Sequence, residues 1–204
     1  MFTIGILASG KGSNLKTIID KIKEGYFSSV KISMVLSDNH NSGALKIAQK
    51  EGIKNIYIPP GKYRTFLQPD KEKEYVKILK ENKVDLVCLA GFMRIIKQPF
   101  FKEFNDRIIN IHPSLLPAFP GLEAWKQAFD YGVKFTGCTV HFVRQWPIDS
   151  GPIILQSVVP VLSDDTCETL YQRIQEKEHI IFPLAIKLIS ENKIFISNNK
   201  VIIK

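Results

Sequence analysis

Cysteine is scarce in this chain: Cys88, Cys138 and Cys167 are the only three in 204 residues, and no two lie within four positions of each other. An odd, scattered set does not make a disulfide framework, and the spacing does not suit a structural zinc site. A reducing, cytoplasmic setting without a metal is the expectation. Long hydrophobic runs are missing as well. Nowhere do eighteen apolar residues follow one another, so no membrane span is expected. The N-terminal stretch Met1-Phe2-Thr3-Ile4-Gly5-Ile6-Leu7 has no basic leader and enters a strand-like run directly, which argues against a signal peptide. Repeats, low-complexity stretches and linkers are also lacking. One domain over residues 1–204 follows as the expectation.

Charge, by contrast, is plentiful, with a formal net charge of +8. Basic excess invites a nucleic-acid reading. Much of it, however, is lysine interleaved with acid, as in Lys71, Glu72, Lys73, Glu74, Lys77, Lys80, Glu81 and Lys83. That is the pattern of a solvated helix face. No cluster of strand aromatics offers the stacking platform that single-stranded RNA requires. An anionic small molecule would profit from the same positive field, so small-molecule partners and no nucleic acid are expected.

Apolar runs alternate with amphipathic stretches. Thr3–Ala8, Lys31–Ser37, Asn55–Ile58, Leu86–Ala90 and Ile108–Ile111 read as strands. Helices are predicted between them at about Asn14–Lys23, Ser42–Gln49 and Lys71–Asn82. This alternation with short connections calls for a mostly parallel α/β sheet, doubly wound and Rossmann-like. Beyond residue 112 the pattern changes. Gly137–Val143 and Ile153–Pro160 predict an antiparallel extension, followed by a helix from about Thr166 to Ile189 and an Asn/Lys-rich end.

In open parallel sheets, ligands bind beyond the carboxyl ends of the strands. The first such segment is Ser9-Gly10-Lys11-Gly12-Ser13-Asn14. Its glycines allow close backbone approach, and a helix N-terminus follows to present N–H groups to an anion. Leu15 occupies the third glycine position of a dinucleotide fingerprint, and the order is wrong for a Walker loop. The plain alternative is a tight turn capped by Ser13. After the fifth strand come Asn110-Ile111-His112-Pro113. Asn110 and His112 point to one side of an extended chain and can both donate to an oxygen gaining negative charge. Asp149, in the loop Pro147-Ile148-Asp149-Ser150-Gly151-Pro152, is a turn carboxylate unless it lies beside an imidazole, where it would hold the imidazolium. It lies 37 positions beyond His112, and sequence does not bring the two together. Asp38, after the second strand, reads either as a ribose-binding acid of a nucleotide module or as a turn. His141 reads as structural in preference to catalytic.

At these residues the chain resembles the glycinamide ribonucleotide formyltransferases. The resemblance runs through Ser9–Leu15, Leu89–Arg94, Asn110–Pro117, Gly137–His141, Asp149–Gln156 and Glu178-His179. It implies the formyltransferase fold, with a phosphate-binding part at about 1–105 and a folate-binding, catalytic part at about 106–204. It further implies transfer of a formyl group from 10-formyltetrahydrofolate, a co-substrate, to the amine of glycinamide ribonucleotide, in a monomer or homodimer. Asn110, His112 and Asp149 would be catalytic. Gly12, Ser13 and Asn14 would hold the phosphate and Glu178 the ribose. Folate would be lined by Arg64, Met93, Arg94, Ile95 and Ile96, by Asn110, and by the loop before Asp149. From His141 to Asp149 is eight steps, one more than the family usually shows, with the addition inside Arg144–Pro147. Relatives acting on methionyl-tRNA carry a further C-terminal domain, and the formyl-folate hydrolases a further N-terminal one. The chain length favours the small-ribonucleotide enzyme. The rival class is a nucleotide-binding module without formyl chemistry.

Overall fold

A computed structural model describes all residues, Met1–Lys204. The chain divides into two compact units, Met1–Asn110 and Ile111–Lys204. The division falls on the fifth strand.

The first unit is built around five parallel strands: β1 (Phe2–Leu7), β2 (Val30–Ser37), β3 (Asn55–Tyr57), β4 (Leu86–Leu89) and β5 (Ile108–His112). Their order is β3-β2-β1-β4-β5. β1 and β4 are apolar nearly throughout because helices cover both faces of a parallel sheet, leaving no side of the strand for polar residues. Ile4 and Ile6 are fully buried, each contributing about 1.5–3 kcal/mol relative to exposure. The connecting helices are α1 (Ser13–Lys23), α2 (Gly43–Lys50), α3 (Pro69–Glu81) and α4 (Gln98–Phe104). In α1 the buried set Leu15, Ile18 and Ile19 repeats at helical spacing, with lysines on the outer face.

The chain moves outward from β1 to β3 and then returns to place β4 on the other side of β1. The order therefore reverses between β1 and β4, which is where a doubly wound sheet opens a crevice. The registers align Leu36, Leu7, Leu89 and Asn110 in one row at the carboxyl edge. Ser9, Asp38 and Gly91 follow that row within a few residues.

The second unit contains an antiparallel pair, β6 (Phe135–Phe142) and β7 (Ile153–Pro160), with an irregularity between Val140 and His141. The helix α5 (Ala124–Tyr131) precedes it and the long α6 (Cys167–Ser190) follows. Thr166 caps α6 in a reciprocal capping box with Thr169. The buried stripe of α6 runs Leu170, Ile174, Glu178, Ile181 and Ala185. Glu178 thus stands where the spacing calls for an apolar side chain. The chain ends in a hairpin of β8 (Ile194–Ser197) and β9 (Lys200–Ile203), turned by Asn198 and Asn199 at φ 49° and 60°.

The predicted doubly wound parallel sheet and antiparallel extension are both present. Four elements went unpredicted: α4, α5, β8 and β9. α4 and α5 are only two turns long, and the Asn/Lys-rich end proves to be a hairpin.

Candidate functional site

The glycine-rich loop of the first unit enters α1 through Gly12, not Ser13. Gly12 is the N-cap at φ 83°, with no side-chain capping bond, and Ser13 is the first helical residue. This corrects the alternative reading of Ser13 as a cap. A side chain at Gly12 would meet the α-carbon of Ala44 at 2.8 Å, so glycine is required by both backbone angle and space. Ser42 fixes the loop from behind, its hydroxyl donating to the Gly10 carbonyl at 3.1 Å. The first turn of α1 holds no acidic residue. Asn14 is buried at the start of this helix.

Beyond β4, Met93 is exposed, Ile95 is half-buried and Ile96 is buried. Arg94 does not extend toward solvent. Its Nε meets Asp38 Oδ2 at 2.6 Å, and its Nη1 donates to the carbonyls of Tyr63 and Arg64. Nε and Nη1 of the guanidinium are thus engaged inside the protein. Arg64 is exposed. Asp38, fully engaged by Arg94 and Ser9, is unavailable as a ribose-binding acid.

In the second unit, three side chains converge. Asp149 sits in a left-handed backbone conformation, φ 55°. Its Oδ2 lies 3.6 Å from His112 Nδ1 and accepts the Gly121 N–H at 2.8 Å. Its Oδ1 lies 3.7 Å from His141 Nε2. His112 is buried, at 4% exposure, and its Nε2 faces the Phe119 carbonyl at 2.9 Å. A carboxylate stands at one ring nitrogen and a carbonyl at the other. A carbonyl only accepts, so the contact at Nε2 calls for a proton there, while Nδ1 faces the carboxylate at longer range. On β5, Asn110 stands two residues before His112 and so projects to the same face.

The second histidine differs. His141 is 1% exposed, with Nδ1 against the Phe142 carbonyl at 2.9 Å. Burial pushes its pKa below the ordinary imidazole value, while the Asp149 carboxylate opposes the shift. The ring is anchored at the Phe142 carbonyl and lies beside the Asp149 carboxylate.

Several residues that hold this arrangement were not assigned from sequence. Thr139 Oγ1 donates to the Ser114 carbonyl at 2.7 Å and accepts the Leu116 N–H at 3.1 Å. Gln156 Nε2 donates to the Leu116 carbonyl at 2.9 Å. The Ser114 hydroxyl donates to the Ala118 carbonyl at 2.6 Å. Together they fix the segment carrying the Phe119 carbonyl and the Gly121 N–H. The only sequence signal was their presence within the matching motifs. Gly151 closes the Asp149 loop, and a side chain there would lie 1.7 Å from the Phe142 carbonyl oxygen. Glu178 is buried at 4% exposure and raises Cys138, whose thiol is pushed up to about 12 chiefly by burial.

No group of three or more His, Cys, Asp or Glu side chains is disposed to hold a metal ion. No helix is long and apolar enough to cross a membrane. A surface groove lined by Lys73, Lys77, Lys80 and Lys102 between α3 and α4 contains none of the residues above.

Comparison with known proteins gives a consistent picture. The family model described as formyl transferase matches residues 3–186. The chain is 42% identical over 196 residues to the human trifunctional purine biosynthetic protein adenosine-3, covering 96% of this chain and 19% of that protein. It thus spans about a fifth of that relative's length. With phosphoribosylglycinamide formyltransferase of Bacillus subtilis it shares 37% identity over 187 residues, 92% of this chain and 94% of the relative. The crystal structure of glycinamide ribonucleotide transformylase 1 from Symbiobacterium toebii superposes with a TM-score of 0.94 at 45% identity, covering 100% of this chain and 94% of the other.

Proposed function

The chain belongs to the formyl transferase family, and from that premise we propose that it transfers the formyl group of 10-formyltetrahydrofolate to the amine of glycinamide ribonucleotide. One observation carries the reading: a carboxylate, Asp149, lies 3.6 Å from the buried imidazole of His112. The name of one relative, a phosphoribosylglycinamide formyltransferase matched along nearly its whole length, supports the acceptor and the formyl group transferred.

In this reading the neutral amine attacks the formyl carbon, and the carbonyl oxygen gains negative charge. His112 donates to that oxygen through Nε2, which takes the oxyanion in exchange for the Phe119 carbonyl. Asn110 donates from the same face of β5. Asp149 stabilises the imidazolium through Nδ1 and holds the ring's orientation. Collapse of the tetrahedral intermediate breaks the bond to the folate nitrogen, which takes up the proton lost by the amine through water near Asp149. No covalent enzyme intermediate is required.

The remaining roles follow from chemistry. Gly12, Ser13 and Asn14 bind the ribonucleotide phosphate with the N-terminal N–H groups of α1. Glu178 accepts from the ribose hydroxyls, which accounts for a carboxylate on the apolar stripe of α6. Arg64, Met93, Arg94, Ile95, Ile96 and the loop before Asp149 line the folate. The partners are these small molecules, in a cytoplasmic monomer or homodimer.

A coupled-substrate assay tests the reading. Purified protein is given 10-formyltetrahydrofolate with and without glycinamide ribonucleotide, and deformylated folate is followed spectroscopically. Turnover only when both are present is the expected result. Turnover without the ribonucleotide would make the chain a hydrolase, and none from folded protein would leave the nucleotide-binding module.

A further inference from the structure

Asp38 follows β2 and is nearly sealed from solvent, its side chain 3% exposed. A carboxylate so placed needs partners. It has two, drawn from different loops. Oδ1 accepts from the Ser9 hydroxyl, after β1, and Oδ2 pairs with Arg94 Nε, after β4, at 2.6 Å. Each partner passes the contact on. Ser9 Oγ accepts the backbone N–H of Met93 at 2.9 Å, and Arg94 ties down the Tyr63 carbonyl at 3.1 Å. Asn39, the next residue, donates to the Ser9 carbonyl at 3.0 Å. One buried carboxylate thus joins the segments that follow three parallel strands.

The two ligand segments depend on it unequally. The loop around Gly12 has its own anchors in α2. Ser42 and the Ala44 N–H both bond the Gly10 carbonyl, and Gly12 packs on the Ala44 backbone. The Met93–Ile96 segment is held at Met93 by Ser9, at Arg94 by Asp38, and at Ile95 by the Thr65 carbonyl at 2.9 Å. The first two of these run through Asp38.

We propose that Asp38 is a positioning residue for the formyl donor, fixing the Met93–Ile96 backbone through Ser9 and Arg94 without touching a ligand. The inference rests on the reading of that segment as folate-lining. The carboxylate accepts from a hydroxyl and a guanidinium at once. An amide in its place keeps the volume but loses the charge that holds Arg94.

The test uses the full chain with Asp38→Asn, Ser9→Ala and the double variant. Steady-state rates are measured with each substrate varied, and hydrogen exchange is followed at the backbone amides. Each single variant should raise KM for 10-formyltetrahydrofolate about tenfold. The double variant should do little more, because both act through one connection. kcat and the KM for glycinamide ribonucleotide should stay within about twofold. Amides of Met93–Ile96 should exchange faster while those of residues 12–16 do not. Ser9→Ala keeps the test open if Asp38→Asn fails to fold. An unchanged donor KM would overturn the proposal, as would an equal rise in both KM values or faster exchange in both segments. Absence of turnover in the wild type would refute the formyl-transfer reading instead, and the exchange pattern would still decide whether Asp38 holds the segment.

Discussion

Replacing Asp149 with asparagine removes one negative charge while keeping the shape of the side chain. That charge lies 3.6 Å from His112 Nδ1. At an effective dielectric near 20, a unit pair at this distance interacts by about 5 kcal/mol. The carboxylate is 12% exposed, and the amide retains a dipole that still accepts the Gly121 N–H, so we halve the figure to about 2–3 kcal/mol. If Asp149 acts by stabilising the imidazolium that meets the oxyanion, this loss appears in the transition state. About a hundredfold in kcat follows. KM for either substrate should move by less than about threefold, since ground-state contacts are untouched. Steady-state kinetics on a variant with wild-type circular dichroism provides the assay. A kcat within about threefold of wild type would refute the electrostatic role. A loss confined to KM would show that Asp149 merely shapes the loop.

Other consequences are as specific. Gly12→Ala forces a methyl to 2.8 Å from the Ala44 α-carbon at φ 83°, and should lower stability by about 1–3 kcal/mol while raising the ribonucleotide KM. Thermal denaturation and kinetics check both, and a normal KM would remove the loop from phosphate binding. Asp165, ahead of α6, is held well below the usual carboxylate range, first by Arg173 and then by the Leu162 N–H and Thr169 hydroxyl, against desolvation. Its folded pKa is depressed. Its stabilisation is therefore complete above the unfolded carboxylate pKa, about 4, and fades as pH falls toward the folded value. Asp165→Asn should cost about 1.5 kcal/mol at neutral pH, a Tm drop of about 3–6 °C. That gap should narrow on acidification below pH of about 4, and a gap independent of pH would contradict the ion pair.

β1 and β4 were legible because burial on both faces writes them as apolar runs, as in Leu86–Leu89. α6 was legible from its capping threonine and apolar stripe, despite Pro183 within it. α4 escaped because its seven residues bury just Phe100 and Phe104, too little for a periodic signal. α5 buries just Ala124 and Ala128. The final hairpin was announced only by Asn198-Asn199, a pair suited to positive φ that also occurs in plain loops. In the candidate site, Asn110 and His112 were readable as neighbours on one strand face. The approach of Asp149 to His112 was not, because tertiary folding brings them together across the 37 positions between them. Backbone groups were invisible for a different reason: the Phe119 carbonyl and Gly121 N–H belong to every residue type. In sequence, Asp38 and Arg94 stand as separate ligand candidates. Only the fold joins them as a pair.

Formyl transfer at His112 is tested by comparing wild type with His112→Ala. With a donor carrying a carbon-13 formyl group, mass spectrometry of the ribonucleotide should reveal labelled formyl on its amine for the wild type. The variant should form the same product about a hundred to a thousand times more slowly, the usual loss for one oxyanion donor. Label left on folate by folded wild-type protein, or a variant that transfers it at the wild-type rate, would contradict the account.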